Sequence, residues 1–487
     1  LTLEASHKEI QQNLTALRSH SRDLVRDNPY GRRFVNLCST HIVGPEGITL
    51  ESAILGNGKK PKTDWNDTIE ASWAEWGEQC TTDGQSSWTQ FTQLVAETTA
   101  ADGESFIHHV RGYPNAWGYA VELIDADRVD WTWNQPVNPR TGERTIMGIT
   151  LDRWGRRLGY WVWSAHPLDY EGAPRREFIP ARDITHVYDE RRAKSTRGIP
   201  WMTAVMVPLS MLGSLLNAEL KSANFDARRV MLVKGPAPAI DDTTDGDHPA
   251  TATTDPAGCA ADLQKELADD DITILGLDPG TEGQFPPSNH PNPAIQEFAK
   301  NLLKSIATGV SVSYHALTSD VSDANYTASR VASLDERDQW GKLQGWFIHS
   351  VNRPVYAAWL EMAVLSGAIS LPVVDWKKLL APKWWPRTWE WVDPLKETQA
   401  SVLAIRSGLS TYSEELGGLG RNWRKSFRQR KEEEEFEVEL GLHLELDSAK
   451  AGANAPSDPA YADSEENPAP PAKKAPAPAK GGNDGTE

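Results

Sequence analysis

Leu55-Gly56-Asn57-Gly58-Lys59-Lys60 is the chain's nearest approach to a phosphate-binding loop. Such a loop cradles phosphates on backbone N–H groups between two glycines, then ends on Lys followed by a magnesium-binding Ser or Thr. Ala53 stands where the first glycine belongs and Lys60 where the hydroxyl belongs, so the stretch reads as a turn. Gly417-Gly418-Leu419-Gly420 does not follow a strand and is not a dinucleotide fingerprint. His108-His109 falls in a predicted strand, where successive side chains point to opposite faces and cannot share one metal without a bend. HExxH, GxSxG and Cys/His nucleophile patterns are missing from the sequence. A metal-dependent DNA-processing enzyme needs two or three converging carboxylates. The 68 Asp and Glu residues leave such a discontinuous site open as the alternative reading.

Two further clusters bear on contacts rather than catalysis. Arg421, Arg424, Lys425, Arg428, Arg430 and Lys431, with Trp423 and Phe427 among them, offer contacts to nucleic acid or an acidic neighbour. Pairing with glutamates one helical turn away is the competing reading. The run Lys431 to Glu437 reads as a solvated helix face, with an acidic lining as the sharper alternative. Trp384-Trp385-Pro386-Arg387-Thr388-Trp389-Glu390-Trp391 reads as core or subunit interface before it reads as a base-stacking platform.

The elements that must position these residues follow from periodicity. Leu3, Ile10, Leu14 and Leu17 begin a helical region that Asn28-Pro29-Tyr30-Gly31 breaks and Phe34 to Cys38 resumes. Trp65, Trp73, Trp76 and Trp88 mark helices packed by aromatic residues. Residues from about 104 to 190 turn to strands. Thr145–Leu151 and Leu158–Trp163 flank the hairpin turn Asp152–Arg156, and Ile184–Tyr188 forms another strand. A long helix is expected from Gly198-Ile199-Pro200-Trp201 onward. Its apolar stripe is Trp201, Val205, Leu209, Leu212, Leu216 and Leu220, and Pro208 is placed to kink it. The Pro/Gly/Asp/Thr-rich residues 235–293 read as an excursion with little core of its own. An amphipathic helix over 294–308 stops at Gly309. Gly309 to Arg330 reads as a polar loop, and a long helix from Val331 reaches Pro354 or beyond. Residues 394–436 are helical again, and the Ala/Pro/Lys/Glu/Asp-rich chain from Asp447 is expected to be disordered.

The net charge of −18 argues against an open basic surface gripping phosphates, though a wall past which DNA slides should not bind it tightly. Cys38, Cys80 and Cys259 are far apart and form no CxxC pair, which suggests neither a disulfide framework nor a zinc cluster and fits a reducing compartment. No apolar run of about 18 residues predicts a membrane span, and the polar N-terminus lacks a signal-peptide core. The first residue is Leu1, which suggests processing or numbering from downstream of the start. The fold class expected is α+β.

Six segments in order carry a resemblance to the portal proteins of tailed double-stranded DNA phages, lambda family. They are SRDLVRDNPYGRRFV (21–35), HIVGPEGI (41–48), VELIDADRV (121–129), HVYDERRAKSTRGIPW (186–201), NYTASR (325–330) and WVDPLKETQA (391–400). The resemblance implies a head-tail connector subunit: a mixed wing (1–198), a first stem helix (199–234), a clip (235–293) and a second stem helix (294–308). A tunnel loop (309–330), a long helix completing the wing (331–375), a crown (376–446) and a disordered tail (447–487) follow. It further implies a homo-oligomeric ring, usually of twelve subunits, at one capsid vertex of the virion, assembled in the host cytoplasm. Double-stranded DNA would occupy its channel, and the terminase large subunit, a head-completion or adaptor protein and the major capsid protein would be its partners. No membrane, cofactor, metal or catalytic residue is expected. The tunnel loop would supply Ser311, Ser313, Thr318, Ser319, Asp320, Asn325 and Tyr326 as weak, exchangeable contacts, with Val310, Val312 and Tyr314 setting the width of the constriction. Arg421, Arg424, Lys425 and Arg428 would meet DNA or a partner. A scaffold whose acidic tail recruits a partner is a further alternative.

Overall fold

Asn28 divides the first helical region into α1 (Ser6–Asp27) and α2 (Pro29–Ile42). Its side chain accepts hydrogen bonds from the backbone N–H groups of Tyr30 and Gly31, and Pro29, which has no N–H to lose, takes the first helical position. The computed structural model describes residues 6–54, 62–169, 174–227, 232–234, 282–284, 293–322, 326–371, 376–380, 382–389, 394–419, 421 and 423–441. The 55–60 stretch expected to be a turn, Cys259, Asn325, Trp391, most of residues 235–293 and the chain from 442 lie outside these residues. Two units are separable, Leu1–Asn422 and Trp423–Glu487.

After β1 (Thr49–Glu51) come α3 (Thr63–Glu78) and α4 (Trp88–Asp102). Ser87 and Gln90 form a capping box at the start of α4, and Gly103 ends it at φ +87°. These helices supply an aromatic core. Trp73 packs within 4.9 to 6.0 Å, ring centre to ring centre, of Trp76, Trp88, Trp359 and Trp384. The Trp76 indole donates to the Tyr119 carbonyl at 3.0 Å, which anchors the helices to the sheet that follows.

That sheet contains β2 (Glu104–Arg111) and β3 (Tyr119–Ile124). A second group comprises β4 (Arg144–Ile146), β5 (Ile149–Leu151), β6 (Arg157–Trp163) and β7 (Arg176–Pro180), and β8 (Ile184–Tyr188) returns to the first. The orders are β3-β2-β8 and β4-β5-β6-β7, with antiparallel pairing throughout. Phe106, Ile124, Ile149, Tyr160, Val162 and Ile184 form a second apolar cluster between the two sheets. The 152–156 hairpin turn forms as expected: the Asp152 carboxylate accepts from the Trp154 and Arg156 amides, and Gly155 takes φ +86°. Thr145–Leu151, expected as one strand, is two. Met147 and Gly148 both have positive φ and form a two-residue turn between Ile146 and Ile149.

The long helix α5 spans Met206–Ala227 and begins later than expected, because Trp201–Val205 form turns. Pro208 therefore lies in the first turn, where its missing N–H costs no helical bond, and is not a mid-helix kink. Short strands β9 (Leu232–Lys234) and β10 (Glu282–Gln284) pair antiparallel beyond it, and α6 (Pro293–Gly309) returns. Ser311, not Gly309, takes the left-handed conformation that ends α6 (φ +58°), and the Val312 amide bonds back to the Ala307 carbonyl. Gly309 is small for another reason: a Cβ there would overlap the Val205 side chain.

The 309–330 segment is not one loop. It contains the short helix α7 (Tyr314–Thr318), and α8 (Tyr326–Phe347) starts five residues before the expected Val331. A π-helical turn, Ile348–Asn352, joins α8 to α9 (Arg353–Leu365). Pro354 cannot donate back along the helix, and the widened turn precedes it. The C-terminal elements are α10 (Trp376–Leu379), β11 (Lys383–Trp385), α11 (Pro394–Arg406), α12 (Tyr412–Gly418) and, in the second unit, α13 (Trp423–Leu440). β11 pairs with β1, Trp384 is buried in the main core, and the Trp385 indole donates to Glu51 at 2.6 Å. In the tryptophan-rich stretch Trp384 is therefore core, and half-buried Trp389 packs against that core, its indole bonding His41 at 3.2 Å.

Candidate functional site

Fully buried Glu104, at the start of β2, is the centre of a charge cluster. Its carboxylate accepts from Arg18 of α1, from Arg197 Nε at 2.6 Å, from His186 Nε2 of β8 at 2.8 Å and from the Gly198 amide at 2.9 Å. Arg197 is itself buried and also donates to the carbonyls of Met147 and Ala126 at 2.9 and 3.1 Å. Arg18 also reaches Asp127 at 3.0 Å, while Arg22 bridges Asp102 at 2.7 Å and Asp127 at 2.6 Å. Burial alone would raise the Glu104 carboxyl. The guanidinium of Arg197, then that of Arg18, and the His186 hydrogen bond overcome it and hold the group well below its ordinary range. Burial lowers His186 to about 4 against the pull of Glu104, so it is neutral at pH 7. Gly103 and Gly198 lie backbone to backbone, and a Cβ on either would overlap the other strand's main chain. The cluster thus joins α1, both sheets and the chain entering α5.

The second assembly is the helix pair leaving that junction. The N-terminal end of α5 meets the C-terminal end of α6 at Val205 and Gly309, and β9–β10 join beyond their far ends, so the pair is antiparallel. Val205, Leu209 and Leu212 are buried, as are Ile306 and Ala307 opposite. Further out the same stripe is exposed: Leu216 at 42%, Leu220 at 61% and, on α6, Phe298 at 59%.

The turn after α6 is tied down. Ser313 caps α7, accepting from the Ala316 amide, and its own amide donates to Glu336 of α8 at 3.2 Å. Arg33 of α2 donates to the Ala316 carbonyl at 3.0 Å. The Asp320 carboxylate accepts from the Tyr314 hydroxyl at 2.8 Å and from both the amide and hydroxyl of Ser322. The Ser322 bonds foremost, then Tyr314, lower its pKa to about 2. Within this chain Val312 is buried and Val310 half-buried against the main core. Tyr314 and Thr318 are half-buried, with Thr318 bonding the Tyr314 carbonyl, while Ser311 and Ser319 are exposed. Tyr326 opens α8.

The basic residues at 421–428 are divided, with Arg421 in the first unit and Arg424, Lys425 and Arg428 on α13. Arg424 lies over the Trp423 ring at 5.2 Å, and Arg430 and Lys431 pair with Glu434 and Glu435 one turn on. His108 and His109 point to opposite faces: His108 meets Glu122, and buried His109 bonds Tyr119 and Thr185. Among the described residues one group could hold a metal, Asp125, Asp127 and His166. Arg22 contacts both of these carboxylates and Arg18 contacts Asp127, so a dication would have to displace guanidiniums.

The family profile described as "Phage portal protein, lambda family" matches residues 2–344. The chain belongs to this family. It is 27% identical over 426 residues to the probable portal protein of Halomonas phage phiHAP-1, covering 85% of this chain and 79% of that one. It is 24% identical over 460 residues to portal protein B of Escherichia phage lambda, covering 86% and 83%. Among solved structures, a chain from the neck of an empty gene transfer agent particle computed with C6 symmetry overlays at TM-score 0.42 with 14% identity, covering 84% and 94%. One from the neck of the native particle computed with C12 symmetry overlays at 0.37 with 14% identity, covering 82% and 93%.

Three of the segments that carried the portal resemblance meet in the Glu104 cluster: 21–35 through Arg22, 121–129 through Asp125 and Asp127, and 186–201 through His186, Arg197 and Gly198. Glu104 and Arg18 were not singled out from the sequence. Their signal was slight: a carboxylate shortly before the apolar pair Phe106-Ile107 of a strand, and an arginine amid the apolar positions of a helix.

Proposed function

We propose that the protein assembles into a ring, with twelve subunits expected, at one vertex of a phage capsid. Double-stranded DNA passes through the ring during packaging and ejection, and the terminase large subunit and a head-completion or adaptor protein dock on it. Portal-family membership supports this reading, and one observation in the chain carries it. The apolar stripe of α5 and α6 continues beyond the core, leaving Leu216, Leu220 and Phe298 exposed where a neighbouring copy would cover them. The α5–α6 pair is the stem, the chain between them the clip, and the turn after α6 the part nearest DNA. Within that turn Ser311, Ser319 and Asp320 are the proposed channel contacts, with Asn325 and Tyr326 following. The subunit resides in the virion and assembles with the major capsid protein in the host cytoplasm.

The test is the mass and symmetry of the purified protein, by light scattering with negative-stain imaging. A ring near twelve copies with a central hole is expected. A monodisperse monomer or dimer across salt and concentration would overturn the proposal.

A further inference from the structure

A cavity of about 650 Å³ lies between the β2–β8 sheet edge and α9, and none of its described lining residues belongs to α5 or α6. Its character is opposite to that of the chain, whose net charge is −18. Arg111, Arg157 and Arg182 line it, and among the described lining residues Glu361 is the one carboxylate. Arg111 is spoken for, bonding Asp183 at 3.1 Å and Glu361 at 2.7 Å. Arg157 gives Nη2 to the Tyr188 hydroxyl, but its buried Nε has no hydrogen-bond partner. The Arg182 side chain is 80% exposed and reaches Asp183 through Nε alone. His349 and Ser350 enter the cavity from the π-helical turn, a distortion that is frequently functional in helices. Buried Asn352, in the same turn, has neither amide atom hydrogen-bonded. The rest of the lining is mixed: Ile184, Pro354 and Leu380 are apolar, and His109, Tyr160, Thr185 and His186 are polar.

The geometry points to a docking site for an acidic, hydrophobic peptide segment of a partner protein. The partner places an Asp or Glu carboxylate on Arg157, Arg182 and His349, and an adjacent aliphatic or aromatic side chain on the Ile184–Leu380 wall. The basic donors outnumber the acceptors, so a carboxylate gains charge-assisted hydrogen bonds there. The apolar part of the lining, Ile184, Pro354 and Leu380, favours a peptide, because a phosphate or a nucleic-acid backbone has nothing to place on it. The volume suits a few side chains rather than a bare ion. This surface is independent of the stem contacts, so it stands whether or not the ring reading holds.

The test is peptide display against the full-chain protein in its native assembly state, followed by fluorescence anisotropy with the best-enriched peptide. Selected sequences should place Asp or Glu within two or three positions of an aliphatic or aromatic residue. Arg182→Glu should weaken binding about tenfold or more, as expected for reversing one charge contact. Arg182→Lys should restore part of it, and millimolar inorganic phosphate should not compete. Arg182 is exposed, so its variants should keep the wild-type circular dichroism, and His349→Glu provides a second variant with the same expectation. Selection without an acidic bias, affinity unchanged in both charge-reversal variants, or displacement by phosphate would each overturn the proposal.

Discussion

Glu104 shows how one residue can organise this fold. Arg18, Arg22 and Arg197 face Glu104, Asp102 and Asp127, so the buried part of the cluster balances in charge while His186 stays neutral. Balance makes the buried members Glu104, Arg18 and Arg197 expensive to remove, because the partner left behind is a buried unpaired ion. Glu104→Gln keeps the shape but leaves Arg18 and Arg197 uncompensated. It is expected to destabilise the chain by roughly 3–5 kcal/mol. Glu361→Gln, which breaks a half-exposed pair with Arg111, should cost only about 0–1 kcal/mol. Urea midpoints of the two variants, measured side by side, check this; equal and small shifts would mean that the cluster does not hold the junction.

At the scale of elements, α5 carries two different surfaces on one stripe. Leu212 is inside the chain's own core, whereas Leu216 and Leu220, one and two turns on, are exposed. Leu212→Ala should therefore cost roughly 2–5 kcal/mol of stability. Leu216→Glu with Leu220→Glu should leave the fold intact and abolish or weaken the ring. Light scattering paired with circular dichroism separates the two, and a double variant that still forms full rings would remove the stem contact from the argument. The stripe itself was readable from the sequence, since apolar spacing reports which face of a helix is apolar. Which half the chain covers by itself depends on tertiary contacts that spacing does not contain. The same limit explains the stop signals. Gly309 looked like the residue ending α6, but it is small because Val205 packs on it, and Ser311 takes the left-handed position. Pro200 looked like a helix start, but the approach of Gly198 to Gly103 fixes that chain as turns. Valines 310 and 312 looked like loop residues because their partners in the core lie far away in sequence.

For the whole molecule, the proposed conduit raises the question of how an acidic chain would handle a polyanion. In the proposed ring, subunits each carrying −18 would present DNA with repulsion that acts over about 8 Å at physiological salt and is stronger below it. Serines and Asp320 at the turn after α6 offer hydrogen bonds without fixed cations. The basic residues on α13 are partly offset by the glutamates that follow them. A conduit built this way should hold duplex DNA by enclosure and not by affinity. The assembled protein is therefore expected to bind short linear duplexes weakly, with less than about a tenfold change in affinity between 50 and 200 mM salt. A protein gripping six to ten phosphates loses roughly a thousandfold or more over that range. Anisotropy titrations of a labelled duplex across salt concentrations give the slope directly. A shallow slope is what a sliding wall requires; a steep one with tight binding at low salt would show a cationic track on the assembly and would sink the repulsive-channel reading, even if the ring itself were seen.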